Sequence, residues 1–200
     1  MAVKQSQLLE VIRARQSART FSDAPVSADA VTRILEAARH APSGANRQGW
    51  HFVVVDDPDL KRRVRETCEE AERQHHAAAA ESLRSWYSAH DITPDKPFLE
   101  QAPVLVVCFY DPSAPYAIPS VWIAITHMLL QATGEGLHSL PYTPSGAQFA
   151  SLLGVPKAFR VAAILPIGVG ECLERRPRLS LDEIASRNRF GSPVERAQTR

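Results

Sequence analysis

Ile34-Leu35-Glu36-Ala37-Ala38-Arg39-His40-Ala41-Pro42-Ser43-Gly44-Ala45-Asn46-Arg47-Gln48-Gly49-Trp50 carries a helix, its stop signal and the way into a strand. Val31, Ile34, Leu35 and Ala38 recur at i, i+3, i+4 and i+7, so a helix capped by Ser27 has one apolar face. Pro42, Ser43 and Gly44 end it. Residues 51–55 form a β-branched run that reads as a strand. The loop between the two elements is made of small residues and amides.

Upstream, Leu8, Leu9 and Ile12 suggest a short amphipathic helix, and residues 13–25 break its periodicity. Downstream, Asp57-Pro58 opens a new helix with proline at its first position. Residues 60–89 are helical in composition and highly charged, which predicts a surface excursion; 60–98 reads as a lid. Residues 104–110 make a second apolar strand. A helix from Pro119 to about Gly134 is apolar on most faces, so it belongs in the middle of the fold or at a subunit interface. A short strand at 137–140, a short helix at 149–153 and a strand at 160–167 follow. The arginine-rich tail, 171–200, is too polar to pack alone and is expected to wrap a partner. The order predicts one domain over 1–200, an α+β sandwich of sheet and helices.

With 44% hydrophobic and 22% charged residues among 200, the composition is that of an ordinary globular protein. A formal net charge of +1 gives no electrostatic footprint for nucleic acid. Cys68, Cys108 and Cys172 are odd in number and form no CxxC pair, which predicts neutral thiols in a reducing compartment. The first residues contain no apolar signal-peptide core, so a cytoplasmic location is expected. The apolar run 118–132 falls short of the ~20 residues that span a bilayer.

Three polar clusters interrupt the apolar pattern: Arg15-Gln16-Ser17-Ala18-Arg19, Pro42 to Gln48, and Arg175-Arg176-Pro177-Arg178. Two supply fixed cations and the middle one supplies amides. That set suits a planar, phosphorylated ligand. Guanidinium forks match phosphate, Ser17 adds a neutral donor, and Asn46 offers a donor and an acceptor to a uracil-like edge. Gly44 would let backbone approach a flat ring. The histidines His75 and His76 point to different sides of a helix and lack an HExxH partner, so no metal site is expected. Ser43 lies in no G-x-S-x-G elbow, and Gly134-Glu135-Gly136 does not continue to GxGxxG.

The order of these motifs resembles the FMN-dependent nitroreductase family. Ile12 to Phe21 is similar to that family's opening I-x-x-R-R-S-x-R-x-F, and Ile34 to Trp50 to its helix, A-P-S-x-x-N loop and strand entry. Ala102-Pro103-Val104, Leu153-Gly154-Val155-Pro156 and Leu165-Pro166-Ile167-Gly168 match later signatures. The resemblance implies a mainly antiparallel sheet flanked by helices, a homodimer with a domain-swapped C-terminal tail, and FMN at the interface. It implies that Arg15, Gln16, Ser17 and Arg178 hold the phosphate. Arg19 would lie near the ribityl chain and ring N1/O2 edge, and Pro42, Ser43, Gly44 and Asn46 at the pyrimidine side. Ala45 would face the substrate. Gln16 stands where the family has a second arginine, and Gly49 where it has a proline.

A narrower resemblance links Ser139-Leu140-Pro141-Tyr142-Thr143-Pro144 to the T-x-T-T-T-P segment of the iodotyrosine deiodinase branch. It implies that Pro141, Tyr142 and Thr143 border the flavin, with the Thr143 hydroxyl near N5, where a hydrogen bond favours one-electron steps. Lys96 falls at that branch's substrate-binding lysine. The branch's Glu-x-x-x-Tyr pair has no counterpart: Glu69, Glu70 and Glu72 are followed at four residues by Arg73, Gln74 and His76. The resulting expectation is an NAD(P)H-dependent, FMN-containing reductase of a nitroarene or quinone. The alternatives are a reductive dehalogenase of halophenols and a flavin carrier or sensor.

Overall fold

The computed structural model describes residues 5–146, 149–172 and 174–194. Residues 173 and 195–200 of the predicted tail therefore lie outside the described residues. The elements run α1 (Gln5–Ala14), β1 (Ala18–Phe21), α2 (Ala28–Arg39), a 3-10 turn (Gly44–Asn46), β2 (Trp50–Val55), α3 (Pro58–Ala78), α4 (Glu81–Ala89), α5 (Phe98–Gln101) and β3 (Val104–Tyr110). Then come α6 (Ala117–Gly134), β4 (His138–Ser139), α7 (Ala150–Leu153), β5 (Arg160–Gly168), β6 (Gly170–Cys172) and α8 (Leu181–Ile184).

Four strands form an antiparallel sheet in the order β2-β3-β5-β4, and β1 and β6 form a separate antiparallel pair. β3 is central and buried on both faces. Leu105, Val107 and Phe109 point to one side, where they join Val64 and Cys68 of α3 with Phe98 and Leu99 of α5. Val106 and Cys108 point to the other, with Ile34 and Ala38 of α2 and Val121, Ile125 and Met128 of α6. The alternation follows from the two-residue period of a strand. This is the expected α+β sandwich, with helices on both faces.

α2 starts where Ser27 Oγ accepts from Ala30 N at 3.2 Å, which satisfies one of the orphan donors of the first turn. α6 begins two residues before Pro119. The proline thus falls within the first turn, where its missing N–H removes no intrahelical bond. The charged 60–89 stretch splits at Ala79–Ala80 into α3 and α4. α3 is not the peripheral excursion expected from composition. Val64 and Cys68 seal it to the core, and three charged residues on the same face (Lys61, Glu69, Glu72) are buried with them. α4 has no buried residue.

Candidate flavin site

The β1–β6 pairing builds the first part of the site. Ala18 pairs with Cys172 and Phe21 with Gly170. Arg15 lies between α1 and β1, and Arg175 and Arg178 follow β6 in the chain. Arg15 is half-buried, and its guanidinium is held below its ordinary value first by burial, then by the positive charges of Arg178 and Arg175. Early and late guanidinium groups therefore gather at one place. Ser17 bridges to Ser139 of β4, whose hydroxyl is buried without a hydrogen-bond partner among the described residues. Gln16 is half-buried, and Arg19 is exposed on β1. Gly170 allows the two strands to pack this closely: a Cβ there would stand 2.7 Å from Ala18 Cβ and 2.9 Å from Thr20 O.

The second part, Pro42 to Gln48, forms a tight loop. Ala45, Asn46 and Gln48 have φ of 50°, 53° and 48°, a left-handed conformation that is uncommon for residues other than glycine and asparagine. Ser43 Oγ accepts from Gln48 N at 3.0 Å, and Gln48 Nε2 donates to Asn46 Oδ1 at 3.2 Å. Gly44 N donates to Ser120 Oγ at 3.2 Å. A Cβ on Gly44 would collide with the Pro115 carbonyl oxygen, so contact within the fold accounts for this glycine. Gly49 is likewise held, its added Cβ only 2.6 Å from Ala114 Cβ.

These two parts lie at opposite ends of the sheet. The loop leads into Trp50, which pairs with Tyr110. Ser17 lies beside Ser139, which pairs with Ile167, itself paired with Val104. From Val104 to Tyr110 is six residues of strand, roughly 20 Å at the usual rise. One chain does not bring Ser43 and Asn46 to Arg15.

The third part joins α3 to the segment after β4. Tyr142 is buried. It exchanges both backbone hydrogen bonds with Ile164, at 3.0 and 2.8 Å, and its hydroxyl donates to Glu72 Oε1 at 2.8 Å. Burial, then the neighbouring Cys68, pushes the phenol well above its ordinary value. Pro141 is half-buried and Thr143 is exposed. Lys96 is buried; its backbone N donates to Glu69 Oε1 at 2.8 Å, its ammonium donates to the Thr93 carbonyl, and it stands 6.0 Å from the Tyr142 ring centroid. Burial lowers the Lys96 pKa, against the pull of Glu72. Arg65 compensates Glu69 at 2.6 Å and Glu100 at 2.7 Å. An open hollow of about 530 Å³ lies alongside, lined by Ala71, Gln74, His75, Ser145 and Gly146. His76 stacks on Tyr87 with centroids 4.2 Å apart. Sequence reading missed Glu72 as a site residue. Its signal was the ladder Leu60, Val64, Cys68, Glu72, at intervals of four, which puts a carboxylate on an apolar stripe.

The described residues thus combine an α+β sandwich, a cationic cluster at a short strand pair and a tight loop of small residues. Comparison with known proteins makes this specific. The chain belongs to the nitroreductase family, whose profile matches residues 12–169. It is 33% identical over 181 residues to the iodotyrosine deiodinase of Thermotoga neapolitana, covering 90% of this chain and 96% of that protein. It superposes with a TM-score of 0.79 and 33% identity on a crystal structure of oxidised iodotyrosine deiodinase bound to FMN and 3-iodo-L-tyrosine, covering 92% of this chain and all (100%) of that one. A nitroreductase with bound FMN from Bacteroides fragilis gives 0.71 and 27%, covering 87% and 95%.

Proposed function

We propose that the chain is an FMN-dependent oxidoreductase that passes electrons from NAD(P)H to an electron-poor or halogenated aromatic. The observation that carries this reading is the gathering of Arg15 with Arg175 and Arg178 at the β1–β6 junction. Like charges collected at one place are relieved by an anion, and a phosphate accepts the planar fork of an arginine. Arg15, Gln16, Ser17 and Arg178 hold the FMN phosphate. Arg19 places a fixed cation toward the ring's N1/O2 edge and favours negative charge there. When bound, FMN supplies the hydride and electron chemistry. Pro141, Tyr142 and Thr143 border the ring; Ala45 and Lys96 face the substrate.

Pro42, Ser43, Gly44 and Asn46 reach the pyrimidine side from a second copy of the chain. Two observations support this homodimer. The loop and the arginine cluster are at opposite ends of one sheet, and Ile12, Ile118, Leu181, Ile184 and Phe190 are exposed in the single chain. Within the 60–98 segment, α3 is a fixed wall of the pocket and the exposed α4 its lid, and the 171–200 tail wraps the partner.

Reduction of a nitroarene or quinone is one outcome of such a site. Reductive dehalogenation of a halophenol, in which two electrons and a proton replace the halogen and release halide, is favoured by the deiodinase relatives. The test is anaerobic mixing of the yellow protein with NADPH, then with nitroarenes, quinones and halophenols under halide detection. Bleaching followed by reoxidation with one substrate class assigns the acceptor. Bleaching by dithionite alone would remove the nicotinamide step. A purified protein that retains no flavin, and takes up none when FMN is added, would sink the proposal.

A further inference from the structure

Glu72 occupies a core-facing place on α3, one turn beyond the fully buried Cys68 and two beyond Val64, and is only 7% exposed. A carboxylate taken out of water needs compensation. Glu69, on the same face, finds it in Arg65 at 2.6 Å. Glu72 has the buried Lys96 ammonium as a charge neighbour, and its hydrogen bonds come from one loop: Tyr142 donates its hydroxyl at 2.8 Å and Ser145 its backbone N at 3.3 Å, both to Oε1. His76 Nε2 stands 3.8 Å from Oε2. The backbone of Tyr142 is fastened on its other side to Ile164 of β5, and its ring meets Phe98 edge-on at 5.7 Å. The loop is thus clamped between β5 and α3, and the exposed Thr143 is the next residue along.

We propose that Glu72 is a positioning residue: through Tyr142 and Ser145 its carboxylate fixes where the loop presents the Thr143 hydroxyl to the flavin ring. The proposal rests on the reading of Thr143 given above. It links α3, which carries Glu72, to the ring-bordering loop, which carries Thr143.

The experiment uses Glu72→Ala, Glu72→Gln, Tyr142→Phe and Thr143→Ala. Two quantities are read: amide hydrogen exchange of residues 142–146 in the flavin-free protein, and the fraction of one-electron-reduced flavin during slow reduction of the holoprotein. Glu72→Ala should speed exchange at Tyr142, Thr143 and Ser145 at least tenfold and lower the one-electron fraction at least threefold. Glu72→Gln keeps an acceptor oxygen and should restore most of both. Tyr142→Phe, which removes only the hydroxyl and leaves the Ser145 bond, should move both readouts in the same direction as Glu72→Ala but less far, and carries the test if the alanine variant fails to fold. Thr143→Ala should lower the one-electron fraction with loop exchange unchanged. Unaltered loop exchange in Glu72→Ala and Tyr142→Phe would overturn the clamp. Faster exchange with an unchanged one-electron fraction would overturn the positioning role. If Thr143→Ala is also silent, the fault lies in the placement of Thr143 beside the ring, and the proposal falls with it.

Discussion

At the scale of single residues, two positions give direct checks. Gly44 sits against the Pro115 carbonyl and the Tyr116 ring. Gly44→Ala should cost about 1–3 kcal/mol by overpacking, read as a lowered urea midpoint with unchanged slope. Cys68 is pushed up to about 12 and Cys108 higher, both chiefly by burial, while Cys172 is half-exposed. One thiol should therefore react with a thiol reagent in the native protein at neutral pH, and three in denaturant. For Cys68 the folded value lies above the ordinary 9.0. The stability it contributes is complete below about pH 9 and is lost as pH rises from there toward 12. The arginines were legible as residues, because Arg15 and Arg178 each stand in a cluster without apolar periodicity. Glu72 was not, since a helix as charged as α3 hides a buried carboxylate among solvated ones. Only the i+4 ladder marks it.

At the scale of elements, β1 and β6 matter most and were hardest to read. They have four and three residues, too few for alternation to register. By contrast α2, β2, β3 and β5 carried long, consistent patterns and appear where periodicity put them. Gly170→Ala forces β1 from β6 by contact with Ala18 and Thr20. It should lower FMN affinity tenfold or more and melt the protein earlier, whereas the same change at the open Gly134 should leave FMN affinity alone. A second element-level check concerns α2 and α6, which are tied by Arg33 and Glu135 through two bonds of 2.7 Å. The Arg33 hydrogen bond brings the Glu135 carboxyl down to about 2 from an ordinary 4.5. Its contribution is thus present above about pH 4.5 and lost as pH falls toward 2. The stability gap between the protein and Glu135→Gln should close over that window; a gap independent of pH would contradict the pairing.

At the scale of the molecule, the layering was legible because each strand and helix declared its apolar face. Which end of the sheet each polar cluster would occupy was not. Chain order places Ser17 and Ser43 only 26 positions apart, yet strand pairing sends them to opposite ends. With a paired assembly, sedimentation should report twice the 22.1 kDa chain mass. Replacing the exposed Ile118 with lysine should shift the population toward single chains and release flavin with it. A crevice whose walls come from separate polypeptides obeys mass action in protein as well as in ligand. Serial dilution should then release free, fluorescent FMN more steeply than a one-chain binding curve allows, and added apoprotein should take it up again.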